Sequence, residues 1–307
     1  MATLRIEANG QRAEGVGRAA RAGQGGRWTI QSLVMVFMFI VLIYFLIPLF
    51  WLIVSATKTN EDLFGTFGLW FSSDFNFWSN LQGVFTYDGG IFLRWLWNSA
   101  YYSVCSAIGA TLIATMGGYV FAKFRFPGRD LLFAIILGAI MVPNTALAFP
   151  IYLLMSKIGL VNTPWAIILP SLVTPFGLFL MRVYAEQAIP DDLLDAGRVD
   201  GASEWRLFWS VALRILGPGF VTVLLLTFVG TWNNYFLPLL VTNDPNLYPL
   251  TVGLSIWNGL AQGFSGSQIL FTLVITGSLL SIIPLIAGFL LLQRYWQNGL
   301  TFGSLKG

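Results

Sequence analysis

The 307-residue chain has no histidine, a single cysteine, and charged side chains at only 10% of its positions. Without histidine there is no imidazole acid–base catalysis and no histidine metal site. Cys105 sits in an apolar run and has no second cysteine with which to form an internal disulfide. No G-x-x-x-x-G-K-[ST] phosphate loop occurs, so the chain carries no nucleotide site of that kind. The apolar runs hold no paired carboxylates and no metal-ligand cluster, which argues against a membrane enzyme. What is abundant is apolar surface. Hydrophobic residues make up 56% of the chain and the mean hydropathy is +0.72, which excludes an ordinary soluble protein.

A helix needs about 20 apolar residues to cross a bilayer core of roughly 30 Å. Six runs qualify: 30–55, 97–121, 131–156, 165–183, 219–241 and 269–292. The expected fold is therefore all-α, a membrane protein with six transmembrane helices. The fourth run contains Pro164, Pro170 and Pro175. Proline breaks a soluble helix, whereas neighbouring helices in a membrane re-satisfy the freed carbonyls, so a kinked span is expected there. Fourteen of the 17 Lys and Arg residues fall in one set of connections. The other set holds Lys58, Arg94 and Lys157. The excess of cations marks the cytoplasmic side, so both termini are expected there. The Gly-, Ala- and Arg-rich segment 1–28 has little to bury and reads as a disordered basic tail. The apolar run after it is too long for a signal peptide, and Glu7 and Glu14 oppose a transit peptide.

The first outer connection, 58–95, is rich in aromatics. Trp70, Trp78, Trp95 and Trp97 suit the membrane interface, as a cap or as a contact for an outer partner.

Charge is concentrated between the fourth and fifth runs. Arg182, Glu186, Asp191, Asp192, Asp195, Arg198, Asp200, Glu204, Arg206 and Arg214 lie within 33 positions. At roughly 2.5–3.5 kcal/mol each, they keep this segment out of the bilayer core. It still carries helix signals. Pro190, Asp191 and Asp192 suit a helix start near 190. Gly201 suits a stop with positive φ, and Ser203 suits the cap of a second helix. Trp205, Phe208, Trp209, Ala212 and Leu216 follow at helical spacing, up to Pro218 and Gly219. Ala196, Gly197, Gly201 and Ala202 keep the turn thin. Such an elbow either enters a groove on another protein or lies at the membrane surface as an amphipathic hairpin.

At these residues the chain resembles the permease subunits of binding-protein-dependent ABC importers, whose cytoplasmic signature is E-A-A-x3-G-x9-I-x-L-P. Asp195-Ala196-Gly197, then Gly201, then Val211 and Leu213 fall in register. Asp195 stands for Glu, Gly197 for Ala, Val211 for Ile and Arg214 for Pro. Gly197 is expected to loosen the helix by up to about 1 kcal/mol, and Arg214 leaves the second helix without its usual breaker. "RVDGASEW", "WNSAYYSV", "FGLFLMR" and "FVGTWNNYFLPLLVT" resemble the carbohydrate branch, in particular the six-span maltose-transporter type, over about residues 30–300.

The resemblance implies a type I ABC importer permease fold in a bacterial inner membrane. The transmembrane domain would span 29–300, with a cytoplasmic coupling loop at 185–218 and a tail at 301–307. Pro190, Asp191, Leu194, Asp195, Ala196, Gly197, Asp200, Gly201, Ala202, Ser203 and Glu204 would dock into a separate ATPase. The implied partners are a second homologous permease as heterodimer, two nucleotide-binding subunits, an outer sugar-binding protein and membrane lipid, with no nucleic acid. ATP and Mg would be used by the partner subunits, since the chain lacks a phosphate loop. No cofactor or metal is expected on the chain itself.

A sugar path wants aromatic faces and neutral hydrogen-bonding groups. Asn144 and Thr145 beside Pro143 are candidates, with Trp232, Asn233, Asn234 and Tyr235 in the fifth run; polar glue between helices is the alternative. A polyol or glycerol phosphate is the nearest other solute. Ion-coupled secondary transport would want intramembrane ionisable groups, which these runs lack. A membrane anchor without transport activity is a third class, and a transport assay separates it.

Overall fold

The computed structural model describes residues 31–263 and 269–301. The expected tail 1–28 and the segment 302–307 of the expected C-terminal tail lie outside the described residues. Every regular element among the described residues is helical.

Helix α1 (Gln31–Ala56) is mostly apolar, and its first four turns are exposed except at half-buried Val41. Two short helices follow, α2 (Asn60–Gly65) and α3 (Phe77–Thr86), and then the long α4 (Ile91–Lys123). A broken pair comes next, α5 (Arg129–Ile140) and α6 (Asn144–Lys157), and then α7 (Trp165–Ser171) and α8 (Pro175–Ala188). The charged stretch forms α9 (Asp191–Val199), α10 (Glu204–Leu207), a π turn at Phe208–Ala212, and α11 (Leu213–Ile215). Helices α12 (Gly217–Trp232), α13 (Phe236–Val241), α14 (Leu250–Gln262) and α15 (Ile269–Thr301) complete the chain.

Four stretches are long and apolar enough to cross a membrane: Gln31–Ala56, Phe77–Lys123, Trp165–Ala188 and Leu270–Gln293. The number rises to six if each of two bent pairs is one span. The expected third span is one of these: α5 and α6 meet at 105°. At 1.5 Å per residue they are about 18 and 21 Å long, so neither crosses alone. Pro143 at the junction has an extended backbone and cannot carry the first helix into the second. The expected fifth span is also not one helix. Helix α12 is about 24 Å long; it stops at Asn233, and α13 resumes at Phe236. The kink in the fourth span is as expected. Pro170 lies inside α7, the helix lapses after Ser171, and Thr174 Oγ1 caps α8 by accepting from Gly177 N–H at 3.2 Å.

Helix α4 is the central element, packed against α8 and α12. The reason is the small face it presents: Ser99, Ser103, Ser106, Ala107, Ala110, Thr111, Ala114, Thr115 and Gly118 are all buried. Small side chains let helix backbones approach closely where water cannot drive association. At Gly118 a Cβ would stand 2.6 Å from Met181 Cβ and 2.7 Å from Arg182 N, so only glycine fits.

The connection from α1 to α4, expected on the outer side, folds as a cap. Lys58 is fully buried, and its Nζ donates to Thr66 Oγ1 and Phe67 O, each at 2.8 Å. Asn80 Nδ2 donates to Ala56 O and Lys58 O, closing the end of α1. Trp70, Trp78 and Trp97 are exposed. Trp95 is not with them. It is 3% exposed, lies over Gly253 and 4.8 Å from the Trp257 ring, and donates from Nε1 to Pro245 O at 2.9 Å. Burial of a large ring with its one donor satisfied overrides the interfacial preference.

Candidate functional site

The charged stretch is a helix–glycine–helix elbow. Pro190 occupies the N-cap of α9 with an extended backbone (φ −66°, ψ 137°), and Asp191 and Asp192 fill the positive first turn. The chain reverses at Gly201, whose φ of +80° is left-handed backbone that favours glycine. Ser203 accepts from Arg206 N–H at 3.4 Å and starts α10. These three features stand where the sequence placed them.

Three fastenings hold the elbow. Lys123, at the end of α4, donates from Nζ to Ile189 O at 2.6 Å and to Asp191 Oδ1 at 2.7 Å. That hydrogen bond, then the Lys123 charge, holds the Asp191 carboxyl below its usual range. Arg198 bridges the two arms, pairing with Asp195 Oδ1 and Glu204 Oε1, each at 2.7 Å. Hydrogen bonds to Glu204 and then Asp195 make Arg198 hold its proton even more firmly. Leu194, Leu207 and Phe208 then enter a buried cluster with Tyr119 of α4, Met181 and Ala185 of α8, and Val223 of α12. The elbow is thus packed onto three helices of the bundle.

Gly197 has a packing role besides its weak helix propensity. A Cβ there would lie 2.5 Å from Leu207 Cδ2. Glycine at this position lets α10 seat its leucine against α9, so the loss in helix propensity is offset by close packing. The expected apolar stripe is split. Phe208, Ala212 and Leu216 are buried, whereas Trp205 and Trp209 are exposed and stacked at 6.4 Å. The π turn inserts an extra residue per turn at Phe208–Ala212, which rotates the face that simple helical spacing assigns.

The opposite surface of the elbow is open. Asp192, Asp195, Ala196, Asp200, Gly201, Ser203 and Glu204 are exposed, and Val199 is 88% exposed. Ala202 is half-buried and packs against the cluster. An elbow rigid at its root and bare at its tip can transmit force from another body to α4, α8 and α12. Lys123, Arg198, Tyr119 and Leu207 are the participants that sequence reasoning missed. A lone lysine closing an apolar helix, with acids in a later connection, was the available signal for the first.

The candidate path residues are placed differently from one another. Trp232 is 3% exposed, in an aromatic cluster with Trp95, Trp257 and Phe228. Asn144, Thr145, Asn233 and Tyr235 are exposed at the two helix breaks, and Asn234 is half-buried. Thr251 Oγ1 donates to Asn234 O at 2.7 Å, and Ser255 Oγ to Tyr235 Oη at 3.2 Å. Helix α6 packs on α13, so the two broken segments are neighbours.

Broken apolar helices and a fastened, bare-tipped charged elbow are thus the features that a comparison with known proteins has to match. Residues 110–297 match the family described as the binding-protein-dependent transport system inner membrane component. The chain belongs to that family, as a permease subunit. It is 33% identical to the arabinooligosaccharides transport system permease protein AraQ of Halalkalibacterium halodurans, over 74% of this chain and 79% of that protein. It is 31% identical to AraQ of Bacillus subtilis, over 90% of this chain and 95% of that one. The sn-glycerol-3-phosphate permease protein UgpE of Pectobacterium atrosepticum is 28% identical, with 83% and 90% covered. In fold, it is similar to a chain of a bacterial ABC transporter involved in importing the acidic polysaccharide alginate. The TM-score is 0.73 at 23% identity, with 86% of this chain and 95% of that chain covered.

Proposed function

We propose that this permease subunit moves a neutral sugar, a mono- or oligosaccharide, across a bacterial inner membrane, driven by ATP hydrolysed on separate subunits. The observation that carries this reading is the elbow, anchored on α4, α8 and α12 and exposed from Asp195 to Glu204 except for half-buried Gly197 and Ala202. Residues Pro190 to Glu204 dock in a cleft of a nucleotide-binding subunit, and closure of two such subunits pulls two elbows together. The second elbow belongs to a homologous permease, and an outer binding protein delivers the sugar. The elbow end faces the cytoplasm, a reading that the cation excess supports, with both termini on that side.

Permeases for arabinooligosaccharides among the relatives support a sugar. The glycerol phosphate relative makes a phosphate ester the second reading. The exposed groups at the helix breaks, Asn144, Thr145, Asn233 and Tyr235, include no cation to meet a phosphate, which favours the neutral solute. The test is uptake into vesicles holding the assembled complex with enclosed ATP. Labelled arabino-oligosaccharide should enter in the wild type. In Gly201→Asp, ATP should still be consumed while entry is lost. Entry of glycerol phosphate alone would move the chain to the second reading, and normal uptake by the variant would remove the elbow's role.

A further inference from the structure

Beside the elbow lies a polar surface cavity of about 320 Å³, lined by Arg125, Phe126, Gly128, Arg129, Asp130 and Leu131. It sits where α4 turns into α5. The Lys123–Asp191 bond two residues before Arg125 places it at the elbow end of the molecule. Neither arginine has a carboxylate partner among the described residues, and Arg129 Nε is buried with no hydrogen-bond partner. No side chain caps the start of α5. Directly along α5 from the cavity, Leu131, Leu132 and Ile135 form an apolar surface, 68%, 48% and 60% exposed. The other side of that helix is occupied: Phe133 stacks on Phe179 of α8 and carries the Arg182 guanidinium 3.7 Å above its ring.

Two guanidinium groups without a salt-bridge partner at the foot of an exposed apolar helix face match an anionic phospholipid. We propose that this cavity holds the headgroup of one such lipid, of the phosphatidylglycerol type. The phosphate lies between Arg125 and Arg129, a headgroup hydroxyl donates to Asp130, and the acyl chains run along Leu131 and Ile135. Arg125, Arg129 and Lys123 against Asp130 and Asp191 leave a single surplus positive charge. That balances an anionic headgroup and not a zwitterionic one. Each basic group near a bilayer surface contributes about a five-fold gain in anionic-lipid affinity, so both together give about 30-fold. The inference rests on reading α5 and α6 as one bent membrane span. It does not depend on which solute is carried, so a failed sugar assay leaves it standing.

The test is a titration of the purified full-length chain in mild detergent, with phosphatidylglycerol or phosphatidylcholine, counting retained lipids by native mass spectrometry. The wild type should hold one phosphatidylglycerol in preference to phosphatidylcholine. Arg125→Gln and Arg129→Gln should each weaken it about five-fold, and the double variant about 30-fold. Arg206→Gln, on the elbow but off the cavity, should bind as the wild type. If the double variant does not fold, the single variants carry the test. Equal retention of the two lipids would overturn the proposal. So would wild-type binding by both single variants, or full displacement of the lipid by millimolar inorganic phosphate. The last outcome would make the cavity a site for the free ion.

Discussion

Replacing Gly201 by alanine isolates one physical term. Nothing lies within 4 Å of where a Cβ would stand, so no clash arises. What remains is the φ of +80°, a left-handed backbone that costs an L-residue about 1–2 kcal/mol. The narrower unfolded ensemble of alanine does not offset this where φ is positive. A net loss of about 1 kcal/mol lowers the population of the turn about five-fold. The amides that depend on the turn are known: Asp200 N–H donates to Ala196 O, and Ala202 N–H to Gly197 O, each at 3.0 Å. Hydrogen exchange at these two amides should therefore quicken about five-fold in Gly201→Ala. Gly201→Asn should fall between, because asparagine tolerates left-handed backbone. Gly201→Pro should be worst, since it fixes φ near −65° and removes the Gly201 N–H bond to Arg198 O. Exchange unchanged in alanine, or equal in alanine and asparagine, would refute backbone strain as the reason for this glycine.

Gly118→Ala forces α4 away from the α8 backbone and should destabilise the detergent-solubilised protein by about 1–3 kcal/mol. Gly138→Ala, with open space around it, should not lower the unfolding temperature. Arg198→Gln removes two exposed ion pairs and should cost under about 1 kcal/mol of stability, yet exchange should rise in both α9 and α10 together; a change confined to one arm would contradict the bridge. The stability difference between wild type and Asp191→Asn should be constant from roughly pH 8 to pH 5. A carboxyl held low in the folded state contributes above its unfolded pKa, so the difference should vanish only as pH falls through and below the usual 3.8. Trp232→Ala should lower thermal stability by about 3–5 kcal/mol, as loss of a buried aromatic does, whereas Asn233→Ala should leave melting unchanged and alter uptake.

The local devices were readable from residues alone. Gly201 and Ser203 act through neighbours within four positions, and the Asp191–Asp192 pair marks the helix start it sits on, so short-range rules suffice for these; the bond of Asp191 to Lys123, 68 positions away, needs the fold. Apolar length likewise located the four helical stretches long and apolar enough to cross a membrane. What escaped was set by long-range packing. Trp95 reads as interfacial until Gly253, 158 positions later, makes room for its ring. Gly197 reads as a weak point until Leu207 is folded against it. Pro143 marks a break, but the 105° angle depends on what α5 and α6 each pack against. The π turn at Phe208–Ala212 has no short sequence signature, and Trp205 and Trp209 face outward beside buried Phe208 and Ala212.

Coupling through the elbow is tested most directly by cross-linking. Val199→Cys, at the most exposed apolar position of the elbow, would be combined with Cys105→Ser, and membranes of the native host treated with a short bifunctional thiol reagent or a photoreactive one. An ATPase subunit should be captured through position 199, with the cross-link yield changing between nucleotide-free and ATP-bound states. Capture of lipid alone, with no ATPase in either state, would contradict the docking role of the elbow.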